Sequence, residues 1–265
     1  MRIFGIVNVT PDSFSDGGQF GTVQAAVDHA LRLEDEGADV LDIGGESTRP
    51  GAAPVSVDDE RARVLPVIEG LNGRTEARLS IDTRKTQVAA DALAAGATIW
   101  NDVTALKDDG ALELAADAGC SVVLMHMRGE PATMLDQPTY ADVVGDVFDA
   151  LAARIAACEE AGCDRARLIA DPGIGFGKTL EHNLALFRSL ERFADLRVPI
   201  MLGASRKRFI AALDREGPAD ERLGGSIAAA LRGLEAGVSW LRVHDVAATR
   251  QALQVAAKLQ RTIIE

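Results

Sequence analysis

Residues 79–101 read LSIDTRKTQVAADALAAGATIWN. The stretch opens on a short aliphatic run, 79–81, that breaks at Asp82. Residues 85–95 follow as an alanine-rich segment of helical period, ending at Gly96, where a left-handed C-cap suits glycine. A second β-type run, 98–100, then closes on Asn101. This is one β-loop-α unit feeding the next strand. The unit recurs outward in both directions. Further runs lie at 3–9, 39–43, 121–125, 168–170, 199–202 and 240–243, which makes eight strand candidates, spaced by about 33 residues, the size of such a unit. Helical segments are expected at 22–36, 58–71, 140–161 and 247–259, and Gly37, Gly119, Gly162 and Gly237 precede strands as Gly96 does. Runs apolar along their whole length belong to strands buried on both faces, as in a parallel sheet. Eight units in about 250 residues predict a single α/β TIM (β/α)8 barrel filling residues 1–265 as one domain. A doubly wound sheet is the competing arrangement.

The chain has 265 residues and a net charge of −12, with 47% hydrophobic and 26% charged residues, a balance that excludes a disordered or collagen-like chain. Aromatic residues are 4%, and Tyr140 is the single tyrosine. An acidic chain with so few stacking side chains is expected to have no nucleic-acid partner. Cys120, Cys158 and Cys163 form no C-x-x-C pair or His/Cys zinc spacing, which suits a reducing compartment and small buried side chains. No targeting signal or apolar run approaching about 18 residues is visible, so a soluble, cytoplasmic protein with no membrane partner is expected. The first strand candidate begins almost at residue 1, which is expected to leave the barrel floor less covered.

Polar residues collect just past each apolar run: Asn8, then Asp42 and Glu46, Asp82, Asn101 and Asp102, His126, Asp171, the trio Ser205, Arg206 and Lys207, and finally Arg242, His244 and Asp245. In a TIM barrel these are the strand ends that carry chemistry. For Asp102 and Asp245, turn or cap formation is an equally ready explanation. Two long Gly/Ser/Thr/Pro-rich loops, NVTPDSFSDGG from Asn8 and GGESTRPGAAP from Gly44, suit lids that offer backbone N–H and hydroxyl groups to phosphate oxygens.

Those two loops, with SIDT from Ser80, ND at Asn101, MHM from Met125, DPGIGFGK from Asp171, GASRKRF from Gly203 and RVHD from Arg242, resemble the signatures of the dihydropteroate synthase family. They occur in the family's order over nearly the whole chain. The resemblance implies a TIM-barrel transferase of folate biosynthesis. Its reaction joins 6-hydroxymethyl-7,8-dihydropterin diphosphate to 4-aminobenzoate, releasing pyrophosphate and 7,8-dihydropteroate.

By that resemblance Asp171 binds the pterin, and one carboxylate can accept both an exocyclic amine and a ring N–H. Asn101 and Asp82 contact the same ring. Asp82 is also placed to stabilise positive charge as the diphosphate leaves, and Lys207 supplies a cation at the pterin carbonyl edge. Asp82 and Lys207 are thus the catalytic candidates. Arg242 and His244, joined by Arg49, form an anion clamp for the diphosphate, with Thr48 touching both substrates. Thr48, Pro50, Phe176, Ser205 and Arg206 surround 4-aminobenzoate. Asn8 matches an asparagine linked to Mg²⁺, the implied cofactor, which prefers oxygen ligands and needs few protein contacts when phosphates coordinate it. His126 is left as a pocket-lining or structural group. The family likeness also implies a homodimer and a sulfonamide target.

Gly177, Lys178 and Thr179 resemble the end of a phosphate-binding P-loop, but Pro172 stands where that motif needs its first glycine. Trp100 stands before Asn101, where smaller aliphatic residues are common in the family. Two other functions fit a pterin-binding barrel: a corrinoid-linked methyltetrahydrofolate methyltransferase and a non-catalytic pterin binder. Neither needs the STRPG loop with the SRK and RVHD segments.

Overall fold

A computed structural model describes residues 1–10, 18–47, 52–129 and 138–259. Among the described residues there are eight strands: β1 Arg2–Asn8, β2 Val40–Gly44, β3 Arg78–Asp82, β4 Ile99–Asp102, β5 Ser121–Met125, β6 Leu168–Asp171, β7 Met201–Leu202 and β8 Trp240–Val243. Helices run between them: α1 Gly18–Asp35, α2 Val57–Leu71, α3 Thr86–Ala94, α4 Ala111–Ala118, α5 Val143–Glu160, α6 Leu180–Arg188, α7 Arg208–Leu213, α8 Leu223–Glu235 and α9 Val246–Leu259. All strand pairs are parallel, in the order β6-β5-β4-β3-β2-β1-β8-β7. A single parallel bridge, Ala170 to Ile200, joins β6 to β7 and closes the ring. The molecule is the (β/α)8 barrel that the eight runs predict, and not a doubly wound sheet.

Each strand lies within a residue or two of its predicted run except at β7, where the apolar run 199–202 contains only two residues of ladder. Pro199 has no N–H to contribute, and the Ile200 carbonyl accepts both Ser239 N and Trp240 N at 3.0 Å. The helix expected from 140 begins at Val143, because the Asp142 side chain accepts Val144 N at 3.1 Å and caps it. Gly96 and Gly119 take φ of +121° and +55°, the left-handed endings expected of them.

Strand periodicity divides the core in two. One set of side chains points inward and fills the barrel: Phe4, Val40, Ile99, Val123, Ile169, Met201 and Trp240. The alternate set, including Ile3, Leu41, Ile43, Ile81, Trp100 and Leu124, packs outward against the helices. Counting on by twos from the inner set brings Asp42, Asn101, Asp171 and Arg242 to the interior of the upper mouth, and Asp82 joins them two residues beyond Ser80, the register partner of Asp42. The same count leaves Asp102 facing outward. At the lower end, a cleft of about 710 Å³ between α3 and α4 is lined by Arg78, Thr98, Ser121 and Arg167 and includes no mouth residue.

Candidate active site

Four interior positions meet around one guanidinium. Arg242, on β8, donates from Nε to Asp42 Oδ2 at 2.6 Å and from Nη2 to Asp82 Oδ2 at 2.7 Å. Asp42 is fully buried and also accepts Ser80 Oγ at 2.6 Å and Asn101 Nδ2 at 3.1 Å. The strand register makes this possible, since Asp42 lies beside Ser80 and Asp82 beside Asn101. A buried carboxylate, Asp42, and a half-buried one, Asp82, therefore share one cation. Burial, opposed by Arg242 and reinforced by the negative charge of Asp42, raises the Asp82 carboxyl to about 7. Although burial works against its charge, the arginine itself is held above its ordinary value by the carboxylates.

Asp171, a residue 5% exposed, ends β6, and its Oδ1 accepts Gly173 N at 2.7 Å. Burial raises its pKa, while Lys207 pulls it down. A Cβ on Gly203 would lie 3.5 Å from Asp171 Oδ2 and 3.9 Å from both Lys207 Nζ and Arg242 Cβ. The three side chains thus converge beside Gly203. Lys207 bonds through its amine to the Ile174 carbonyl and sits 4.3 Å from the Phe176 ring centroid. Burial lowers its pKa to about 8. Phe176 packs on Val103, Met125 and Met127, giving the mouth one apolar wall beside its charged one.

Just past β7 and β8, Ser205 Oγ and His244 Nδ1 lie 3.0 Å apart, and His244 N donates to the same hydroxyl at 3.2 Å. Arg206 takes φ of +58°, which turns its side chain onto Asp245 with Nε to Oδ2 at 2.9 Å and Nη2 to Oδ1 at 2.5 Å. Asn8 ends β1, half-buried and in register with Gly44. Thr48, Arg49 and Pro50 lie outside the described residues.

The structure separates this interior ring from its neighbours. Asp102 accepts Thr104 N and Thr104 Oγ1 at 2.7 Å and Leu106 N at 2.7 Å, so it builds a turn. Asp245 serves Arg206. Asp42, named in the sequence only as a polar strand end, is the hub that joins Arg242, Ser80 and Asn101. The signal for it was the period-2 count from Val40. Lys178 turns inward, 3% exposed, onto backbone carbonyls, unlike a P-loop lysine on phosphate. The thiols of Cys120 and Cys158 are pushed up by burial to about 11 and about 12, and neither borders the mouth.

The model of the pterin-binding enzymes matches residues 4–244 of this chain. The chain belongs to that family. The dihydropteroate synthase of Neisseria meningitidis serogroup B is 51% identical over 260 residues, covering 96% of this chain and 91% of the relative. The dihydropteroate synthase of Xanthomonas albilineans, solved with 4-aminobenzoic acid, is 52% identical with a TM-score of 0.93, covering 98% of this chain and 93% of that one. A second structure of the Xanthomonas albilineans enzyme, in complex with 7,8-dihydropteroate, aligns with a TM-score of 0.90 at 49% identity, covering 98% and 94%. Within its family the chain is an enzyme of the dihydropteroate synthase kind.

Proposed function

We infer that this mouth binds 6-hydroxymethyl-7,8-dihydropterin diphosphate and 4-aminobenzoate and joins them, with the residues acting as follows. The observation that carries the reading is the convergence of Asp171, Lys207 and Arg242 beside Gly203, with Asp82 tied to that arginine directly and Asn101 through Asp42. Asp171 accepts the paired N–H donors of the pterin's pyrimidine edge, and Lys207 donates to its carbonyl edge. Asn101 adds a donor or acceptor to neighbouring ring atoms. Arg242 and His244 face the diphosphate, which brings anionic oxygens to the side of the mouth where Arg242 is otherwise neutralised by two aspartates.

As the bond from the pterin methylene to the diphosphate oxygen breaks, positive charge develops on the pterin. An ionised Asp82 stabilises it. The diphosphate departs with the electron pair of the broken C–O bond, the amine nitrogen of 4-aminobenzoate forms the new C–N bond, and the proton it loses is taken up by the departing pyrophosphate. Phe176 supplies the flat apolar surface for the benzoate ring. Ser205 and Arg206 face its carboxylate, Arg206 through the Nη1 hydrogens that its pair with Asp245 leaves over. Thr48 is proposed to contact both substrates and Pro50 the 4-aminobenzoate, and water is kept from the cation.

Magnesium fits this donor set in one way. Among the described residues no cluster of three or more His, Cys, Asp or Glu side chains can hold a metal. The half-buried Asn8 carboxamide offers one neutral oxygen, so the ion would rely on diphosphate oxygens and water for the remaining ligands. Bound there, it would shield the diphosphate's negative charge. We also propose a homodimer and a cytoplasmic location. No described helix is long and apolar enough to cross a membrane.

The test is to mix the protein, Mg²⁺, the pterin diphosphate and 4-aminobenzoate, and to follow dihydropteroate and pyrophosphate. Both should form in equal amounts. Methyl transfer from methyltetrahydrofolate without that product would establish the rival reaction. In the same assay a sulfonamide, which copies the size and charge of 4-aminobenzoate, should compete with it, raising its KM and leaving kcat unchanged. Turnover indifferent to excess sulfonamide would exclude that mode of binding.

A further inference from the structure

We propose that Lys178 is a positioning residue: its ammonium staples the loops after β5 and β6 into one body, which sets Asp171, Phe176 and Lys207 against the substrates. The inference rests on the substrate roles proposed above for those three residues. Lys178 Nζ has four acceptors within reach, Gly173 O at 2.9 Å, Phe176 O at 3.0 Å, His126 Nδ1 at 3.0 Å and His126 O at 3.2 Å. Two of the acceptors belong to His126, in the loop after β5. The other two lie in the loop after β6. A compact ammonium with three rotatable donors suits converging carbonyls, whereas the planar fork of arginine does not.

Holding a cation there is costly. Lys178 is 3% exposed, and the four acceptors around its amine are three carbonyls and an imidazole nitrogen rather than a carboxylate. A methionine or leucine would fill the space without burying an unpaired charge. The amine's pKa falls to about 7 through burial, with Asp171 opposing and Lys207 adding to the drop. His126, pressed by burial and by Lys178, falls to about 3 and is neutral, so Nδ1 can accept.

The loops are also in direct backbone contact. Gly173 and Gly177 take φ of +68° and +60°, and a Cβ on them would lie 2.0 Å from His126 O and 2.2 Å from Arg128 O. Tyr140 adds an outer tie, its hydroxyl donating to Gly177 O at 2.8 Å. The ammonium sits at the centre of this joint. What it holds leads directly to the mouth. Gly173 gives its N–H to Asp171 Oδ1, the Ile174 carbonyl takes the Lys207 amine, and Phe176 carries the ring beside that amine. Lys178 bonds the carbonyls on both sides of Ile174. Releasing them frees all three substrate groups together.

The test uses the full-length variants Lys178→Met, Lys178→Gln and Tyr140→Phe, with wild-type turnover measured first. KM for 4-aminobenzoate and calorimetric Kd for free pterin are read beside kcat and the folded fraction from thermal unfolding. Lys178→Met should raise both constants about tenfold, with a smaller change in kcat per folded molecule. Lys178→Gln, which keeps two donors, should fall between it and the wild type. Tyr140→Phe should raise KM two- to threefold in the same direction. If Lys178→Met does not fold, the other two variants decide. Unchanged KM and Kd per folded molecule would overturn the staple and leave a purely structural lysine. A wild type that makes no dihydropteroate would overturn the function instead, and pterin binding would still report on the staple.

Discussion

Removing the Arg242 side chain takes away more than an anion contact, because its Nε and Nη2 are committed to Asp42 and Asp82 at 2.6 and 2.7 Å. The motif alone suggests that Arg242→Ala weakens only the diphosphate substrate. The geometry revises that expectation. Asn101 hangs on the same Asp42 oxygen at 3.1 Å, so loss of the guanidinium disturbs the pterin side as well. Arg242→Ala should therefore cost about 3 kcal/mol of stability, seen in urea unfolding, since the buried Asp42 and the half-buried Asp82 lose their cation. It should also weaken free pterin measurably in calorimetry. Equal stability to wild type would mean the carboxylates find another partner. The same cluster sets a pH dependence. Asp82 is raised to about 7, so its ionised form grows in as pH rises through that value. If the ionised form stabilises the departing pterin, kcat/KM should rise between about pH 6 and 8 and then level off. Asp82→Asn should lower the plateau and abolish that limb. For stability the sign is opposite. A carboxyl raised in the fold contributes most below its unfolded value of 3.8, and that contribution is lost as pH climbs through about 7.

Strand β4 shows what could be read in advance and what could not. Its run, residues 98–100, was visible because Ile99 and Trp100 follow a glycine-ended helix, and the site asparagine was visible because it ends the run. The side each residue faces was not. That required knowing the inner layer, in which Ile99 packs with Phe4, Val40 and Val123. Parity then sends Trp100 outward, Asn101 inward and Asp102 outward, and so separates a ligand group from a turn-builder that looks alike in sequence. The Arg206–Asp245 and Arg242–Asp42 pairs were illegible for a different reason, since 39 and 200 residues separate the partners and only the closed ring joins them. The outward Trp100 is fully buried, and its Nε1 donates to Thr83 O at 2.8 Å. Trp100→Leu removes that donor and leaves a cavity, so it should cost about 2–4 kcal/mol. Because Asn101 is the next residue, Kd for free pterin should rise in the same variant. A loss of stability with unchanged pterin affinity would show that β4 holds Asn101 without its tryptophan.

The barrel as a whole is not equally strong around its circumference. Most neighbouring strands share a ladder of three to five paired residues, as between β1 and β2 or β3 and β4. Between β6 and β7 the bridge from Ala170 to Ile200 is the one paired position among the described residues, and Ala170 N to Pro199 O at 2.9 Å is a bond of that seam. The shortened β7 follows from Pro199 and from the double use of the Ile200 carbonyl, a local feature with a global effect. Opening at this seam separates fewer hydrogen bonds than opening anywhere else in the ring. Local opening free energies follow such differences. Native-state hydrogen exchange should therefore show the Ala170 amide exchanging faster than the β1 amides Gly5 to Val7, with a smaller denaturant dependence. The seam lies between Asp171 on β6 and the Ser205–Lys207 segment after β7, the two sides of the pterin space. A ligand that bridges Asp171 and Lys207 ties the seam shut, so adding free pterin should slow Ala170 exchange more than that of the β1 amides. Uniform protection on binding would show a ring that opens only as a unit, and the seam would then have no part in admitting substrate.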